Sequence, residues 1–311
     1  MKKNKIENAE TPALPQGAVT GLAAKGAAVK TIEKSELFHN HFQNFKVYQI
    51  PKAQLIIADI PYNLGNNAYA SNPAWYKDGD NSNGESELAG KEFFDTDKDF
   101  RPAEFMHFCS TMLKNEDIRE RTEADGTKRL KSNAPCMIVF CEFEQQFSLI
   151  ELGKKYGLNR YINLVFRKNF SAQVLKANMK VVGNCEYAIL FYRDRLPKFN
   201  NKGKMIFNCI DWTKDSGTEK IHPTQKPIGL LKKLIEIFTD EGDIVIDPVA
   251  GSGSTLIAAI ELNRVAYGFE IKKNFHAEAT KLINKAKQKK KDISEYGYSK
   301  TEIAKKHPIL F

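Results

Sequence analysis

Ile244-Val245-Ile246-Asp247-Pro248-Val249-Ala250-Gly251-Ser252-Gly253-Ser254-Thr255 is the stretch from which the rest of this 311-residue chain can be read. An apolar run ends on an acid, two glycines open a short turn, and a second apolar segment follows. The pattern predicts a strand over 243–246, a glycine turn, a helix over 255–262 and another strand over 265–269 that ends at Glu270. In an open α/β sheet, ligands bind beyond the carboxyl ends of the strands. Gly251 and Gly253 lack Cβ atoms, so backbone can lie against a ligand there, and Ser254 or Thr255 can cap the helix. Glu270 stands where an acid would grip two ribose hydroxyls of a nucleotide-like ligand. No Lys-Ser/Thr pair follows the glycines, which disfavours a phosphate loop. Leu256 occupies the third glycine position of the dinucleotide pattern, which disfavours that too.

Far upstream, Leu55-Ile56-Ile57-Ala58 reads as a buried parallel strand, and it runs into Asp59-Ile60-Pro61-Tyr62. A planar aromatic amine is a poor nucleophile because its lone pair is delocalised into the ring. Accepting hydrogen bonds from both amino protons frees that pair. The Asp59 carboxylate and the Ile60 carbonyl supply two acceptors, Tyr62 a stacking face and Pro61 a stiff turn.

Between and around these motifs the chain alternates strands with helices, which indicates a doubly wound α/β sheet. Residues 1–36 read as a flexible leader and 37–291 as the main domain, with 292–311 as a tail. The polar stretch 66–99 reads as a lid or insertion. A helix is expected over 102–115, with Phe105, Phe108, Cys109 and Met112 on one face. An exposed charged connector is expected over 119–131 around Asp125-Gly126. A strand follows over 136–141, a helix over 146–156 ended by Gly157, and further strands over 161–166 and 187–192. Pro227 opens a helix with Leu230, Leu231, Leu234, Ile235 and Phe238 at helical spacing. The Lys-rich run 281–291 reads as the end of a solvated helix.

The composition, 42% apolar and 27% charged, is that of an ordinary globular chain. A formal charge of +9 suits a polyanionic partner. No apolar run approaches membrane-spanning length, so no membrane partner is expected. The five cysteines form no CxxC pair and no zinc-like cluster, so the metal expectation is none and a reduced, cytoplasmic setting fits.

Three motifs in order, Asp59-Ile60-Pro61-Tyr62, His222-Pro223-Thr224-Gln225-Lys226-Pro227 and Asp247 to Thr255, resemble those of the DNA amino-methyltransferases that act on adenine N6 or cytosine N4. Because the catalytic motif comes first, the resemblance is to the circularly permuted class called beta. It covers roughly 39–287 and includes the weaker elements 135–141, 163–168 and Asn184-Cys185-Glu186-Tyr187. It implies a Rossmann-like methyltransferase sheet, S-adenosylmethionine as cofactor, double-stranded DNA as partner and catalysis by Asp59, Ile60, Pro61 and Tyr62 after base flipping. The implied cofactor residues are Asp247, Pro248, Ala250, Gly251, Ser252, Gly253, Thr255, Glu270, Thr224 and Lys226, with Lys226 near the methionine carboxylate. Homodimerisation stays open. The family's usual turn is Asp-Pro-Pro-Tyr, so Ile60 is a departure that either weakens the turn or is held by packing. Asp in the leading position favours adenine. Cytosine N4, an amide or RNA amine, and an inactive DNA-binding protein with the same fold are the alternatives. The region 193–221 is expected to be a short target-recognition segment. There Arg193, Arg195, Lys198, Lys202, Lys204 and Lys214 would meet phosphates, and Phe199 and Trp212 would act as stacking or wedge residues.

Overall fold

The computed structural model describes residues 33–62, 100–116, 118–122, 126, 128–169, 183–212 and 225–296. In chain order, β1 is Glu36–His39, a 3-10 turn covers Phe42–Tyr48, β2 is Leu55–Asp59 and α1 is Pro102–Met112. Next come β3 (Ile118–Thr122), β4 (Lys128–Ser132), β5 (Cys136–Cys141), α2 (Gln145–Lys155), β6 (Arg160–Lys168), β7 (Cys185–Tyr192) and β8 (Cys209–Trp212). The chain continues through α3 (Ile228–Phe238), β9 (Ile244–Asp247), α4 (Ser254–Glu261), β10 (Val265–Glu270) and α5 (Lys273–Tyr296).

Eight strands form one sheet in the order β1-β10-β9-β2-β5-β7-β6-β8. β7 runs antiparallel to both of its neighbours, and the other pairings are parallel. The alternation of strand residues builds two cores. Leu55, Ile57, Ile138 and Phe140 face one side with the apolar stripes of α3, α4 and α5. Ile56, Ala58, Met137 and Val139 face the other with α1, α2 and the 3-10 turn. Helices on both faces and buried strands make this the doubly wound, Rossmann-like α/β sheet that the pattern predicts.

β2 and β9 lie side by side at the centre, paired at Leu55↔Val245 and Ile56↔Ile246, although nearly two hundred residues separate them in the chain. From β9 the sheet continues one way to β10 and β1, and from β2 the other way to β5. This is a topological switch point, where diverging connections leave a crevice at the carboxyl ends of the strands.

Several sequence expectations are corrected. The helix expected to reach 115 stops at Met112, because Leu113 turns extended and bridges Ala53. The charged connector over 119–131 is an antiparallel ribbon, β3 against β4, and Gly126 takes a left-handed φ of 79° in its turn. Charge lowers strand preference but does not prevent two arms from pairing once a turn sets their register. The strand β1, too short to leave a period, begins within the expected leader at Glu36, and α5 runs on to Tyr296. Among the described residues no helix is long and apolar enough to cross a membrane. Also among them, no group of three His, Cys, Asp or Glu side chains could hold a metal ion.

Candidate functional site

A cavity of about 210 Å³ opens at the switch point. Asp59, Ile60, Pro61 and Tyr62 line it from the end of β2, and Asp247, Pro248, Ala250, Gly251, Ser252 and Thr255 from the turn after β9. Glu270 lines it from the end of β10, and Lys226 from the approach to α3. Two motifs far apart in sequence thus share one hollow. Gly253 is not part of the lining. Its φ is +73°, and a Cβ there would lie 3.1 Å from Ile283 Cδ1 and 3.3 Å from Ala279 Cβ. Gly253 therefore lets α4 start close against α5, and the expectation that it faces a ligand is corrected. Thr224 lies outside the described residues, as do His222 and Pro223.

The β2 end is rigid without a second proline. Ile60 is buried in the core formed with α1 and α2, and its N–H donates to the Phe140 carbonyl at 3.2 Å. The Gln145 amide donates to the Pro61 carbonyl at 2.8 Å, while its own oxygen accepts from the Glu142 N–H at 2.9 Å. Of the two consequences open for Ile60, the geometry selects packing.

Lys226, expected beside the cofactor, lines the cavity and also reaches Asp59, a contact the sequence reading did not foresee. Its Nζ is 2.6 Å from Asp59 Oδ2 and 3.2 Å from Glu186 Oε2. Lys168, at the end of β6, pairs with the other Glu186 oxygen, Oε1. The four groups alternate in sign, Asp59, Lys226, Glu186, Lys168. The aromatic rings of Phe140, Trp212 and Tyr62 surround the Lys226 ammonium at 5.1, 5.7 and 5.6 Å. Burial disfavours every charge in the chain, but the partners decide each outcome. Lys226 is held above its ordinary value because the Asp59 and Glu186 carboxylates outweigh burial. Glu186 is held below its own because Lys226 and Lys168 do so. Burial raises Asp59 above the ordinary carboxylate value, against the pull of Lys226 and with a push from Glu186. Glu186 and Lys168 carried no role in the sequence reading. Their signal was weak but present: charged residues at the ends of apolar strands, one of them within Asn184-Cys185-Glu186-Tyr187.

Asp59 lines the cavity with a side-chain exposure of 25%. Its Oδ1 and the Tyr62 hydroxyl are both buried, and the hydroxyl approaches the carboxylate as a loose donor that falls short of ordinary hydrogen-bond geometry. Burial, with Asp59 and Glu186 nearby, pushes the Tyr62 phenol well above its ordinary value, so it stays neutral. On the β9 side, Asp247 Oδ1 accepts the Val249 N–H at 3.1 Å. Burial pushes its carboxyl up to about 7, against the Thr255 and Val249 hydrogen bonds and with help from Asp59 and Glu270. Glu270 accepts the Gly251 N–H at 2.9 Å and the Lys272 N–H at 2.7 Å, which ties its carboxylate to the turn. Buried Cys136 offers no nucleophile, since burial pushes its thiol far up.

Of the expected recognition segment, residues 193–201 lie at the amino ends of the strands, Trp212 lies beside Lys226, and 213–221 are outside the described residues. Lys198 is buried at the amino ends of the strands, where it pairs with Asp240 at 2.7 Å and Asp243 at 3.0 Å. Arg193 donates to the carbonyls of Lys114 and Ser110 at the far end of α1. Trp212 is a buried core residue rather than a wedge, and Phe199 packs edge-on against Phe238. Lys214 lies outside the described residues.

Known proteins resemble the chain in both sequence and fold. YubD of Escherichia coli (strain K12) is 33% identical over 147 residues, 47% of this chain and 60% of YubD. The type II methyltransferase M2.MboI of Moraxella bovis is 40% identical over 92 residues, 27% of this chain and 33% of that enzyme. The chain thus spans less than two thirds of these curated relatives. Among solved structures, the M1.HpyAVI–SAM complex superposes with a TM-score of 0.55 at 22% identity, over 80% of this chain and 98% of that one, which shows a shared fold. The DNA methylase family designated N6_N4_Mtase matches residues 53–281, nearly the whole sheet and both sides of the cavity, and the chain belongs to that family.

Proposed function

We propose that the chain transfers a methyl group from S-adenosylmethionine to the exocyclic N6 of adenine in a site of duplex DNA. One observation carries the reading. Asp59 and Tyr62, whose Oδ1 and hydroxyl lie buried beside each other, line the same cavity as the Asp247–Ser252 turn and Glu270. A methyl donor and an amine must meet in one enclosure, and these are the residue types each requires.

The lining suits the cofactor. Asp247 and Glu270 offer carboxylates to a sulfonium and to ribose hydroxyls, and Phe269, Ile271 and Phe275 offer apolar surface to a purine. Pro248, Ala250, Gly251, Ser252 and Thr255 shape the turn around it. When bound, S-adenosylmethionine supplies an electrophilic methyl group on sulfur.

The chain's own residues prepare the amine. Asp59 Oδ1 accepts one amino N–H and the Ile60 carbonyl the other, which frees the nitrogen lone pair. Tyr62 stacks on the base, and Pro61, clamped by Gln145, keeps these groups aimed. Burial raises the basicity of Asp59, which fits it to hold the proton released from the amine. An amine inside the helix stack cannot enter such a cavity, so the base flips. Asp59 in the leading position of the motif supports adenine over cytosine. The test is to incubate the protein with duplex DNA and labelled cofactor, digest to nucleosides and analyse by mass spectrometry. N6-methyladenine is expected. N4-methylcytosine alone would overturn the base assignment, and no methylated nucleoside would overturn the activity.

A further inference from the structure

We propose that Lys226 and Glu186 are positioning residues for Asp59: Lys226 binds Oδ2 so that Oδ1 alone is left for the amine, and Glu186, tied down by Lys168, keeps Lys226 in place. The inference rests on the methyltransfer reading above and deepens it.

The geometry leaves each group little choice. Lys226 approaches α3 from the cavity side and meets Asp59 at 2.6 Å across the sheet end. An unrestrained carboxylate rotates and offers either oxygen to a substrate. With Oδ2 held by a buried ammonium, rotation would break a charge-assisted bond, so the carboxylate keeps one orientation. Lys226 alone could swing away, because its stem is long. Glu186 at 3.2 Å on its other side, and the rings of Phe140, Trp212 and Tyr62 around it, deny it other positions. Glu186 is fixed in turn by Lys168, whose ammonium lies 4.7 Å from the Trp212 ring centre. Both β6 and β7 therefore send a charge to the carboxyl end of the sheet, where β2 ends. The charges number two of each sign, so the chain is neutral while Asp59 is ionised.

Neutrality makes the arrangement testable by the sign of its response. The charged and titratable groups around Asp59 are Lys226 before α3, Glu186 on β7, Lys168 on β6, Tyr62 after β2, Cys141 on β5 and Asp247 on β9. Lys226→Met removes a positive charge from this set and should move the acid limb of the kcat–pH profile upward by about one pH unit. Glu186→Gln removes a negative charge and should move the same limb downward by a similar amount. Lys226→Arg keeps the charge and should keep the parent limb while restoring much of the rate. Asp247 and Tyr62 are intact in all three variants, so they cannot create opposite shifts.

The experiment measures single-turnover methyl transfer to duplex DNA at saturating cofactor across pH. Alongside it, Asp59 is titrated directly by carbon NMR of carboxyl-labelled aspartate, assigned with Asp59→Asn. Opposite shifts of Lys226→Met and Glu186→Gln in either readout support the proposal. Slower turnover with unmoved limbs and an unmoved Asp59 titration would overturn it, since a merely structural loss lowers rate without that signature. If Lys226→Met does not fold, the Glu186→Gln shift in the NMR titration decides alone. A parent protein that methylates no DNA, yet shows the NMR shifts, would overturn the functional reading and leave the charge chain standing.

Discussion

Replacing Asp247 by asparagine should change stability in one pH range and spare it in another. The carboxyl is buried, and its folded value of about 7 stands above the ordinary 3.8. A raised acid favours folding while it is protonated. Its contribution is therefore fully present below about 4 and is lost as pH rises through about 7. The full difference, about three pH units, corresponds to roughly 4 kcal/mol, of which about 2.5 should develop between pH 5 and pH 8. Asparagine does not ionise but can still accept the Val249 N–H. The pH-independent costs of the substitution, such as a weaker hydrogen bond, cancel when the same pair of proteins is compared at two pH values. The assay is urea unfolding of parent and Asp247→Asn at both. The variant should gain on the parent by about 2.5 kcal/mol at pH 8 relative to pH 5. A stability difference that does not change with pH would refute the reasoning, because it would mean that Asp247 is ionised throughout.

The other predictions concern the cavity, the packing behind it and the basic segment away from it. Asp59→Ala should cut methyl transfer by about 10²–10³ while cofactor binding, measured by calorimetry, changes little; near-normal turnover would remove Asp59 from the chemistry. S-adenosylmethionine should bind more tightly as pH rises through about 7, because a sulfonium favours the ionised form of Asp247, and a flat titration would exclude that contact. Gly268→Ala would place a Cβ 2.8 Å from Leu256 Cδ1 and 3.1 Å from Ala250 Cβ, and should cost about 1–3 kcal/mol in thermal unfolding. Neutralising Lys202 and Lys204 together should leave DNA affinity within about twofold at physiological salt, since their segment is anchored away from the cavity; a tenfold loss would return it to the DNA interface.

What was legible in the sequence follows from how each feature is encoded. Continuous apolar runs such as Cys136–Cys141 and the stripe of α3 announce themselves, because burying them requires those residue types. The cavity's two walls were legible because strand, turn and helix succeed one another locally at 244–255 and an apolar strand leads directly into Asp59. Glu186 and Lys168 were not, because their meaning is a contact with Lys226 made through strand order, which no local pattern carries. Lys198 shows the converse. A lysine in a basic stretch reads as a phosphate contact until the fold places Asp240 and Asp243 beside it.

Strand direction also constrains where DNA can be read if the proposed activity holds. β7 runs against its neighbours, so its start, with Glu186, lies beside the ends of β5 and β6, while Arg193 leaves from the opposite edge. Phe100 and Gln225 both line the cavity, and Trp212 stacks over the ammonium that holds Asp59. The segment from Arg193 to Asn201 is instead bound to the carbonyls of Ser110, Lys114, Ala134 and Ile237 at the amino ends of the strands. A duplex that delivers an amine to Asp59 therefore approaches the carboxyl end of the sheet, and base-reading groups reach it from that side. A basic stretch gains a claim on DNA from the end of the sheet at which the strand order leaves it, and not from its charge alone.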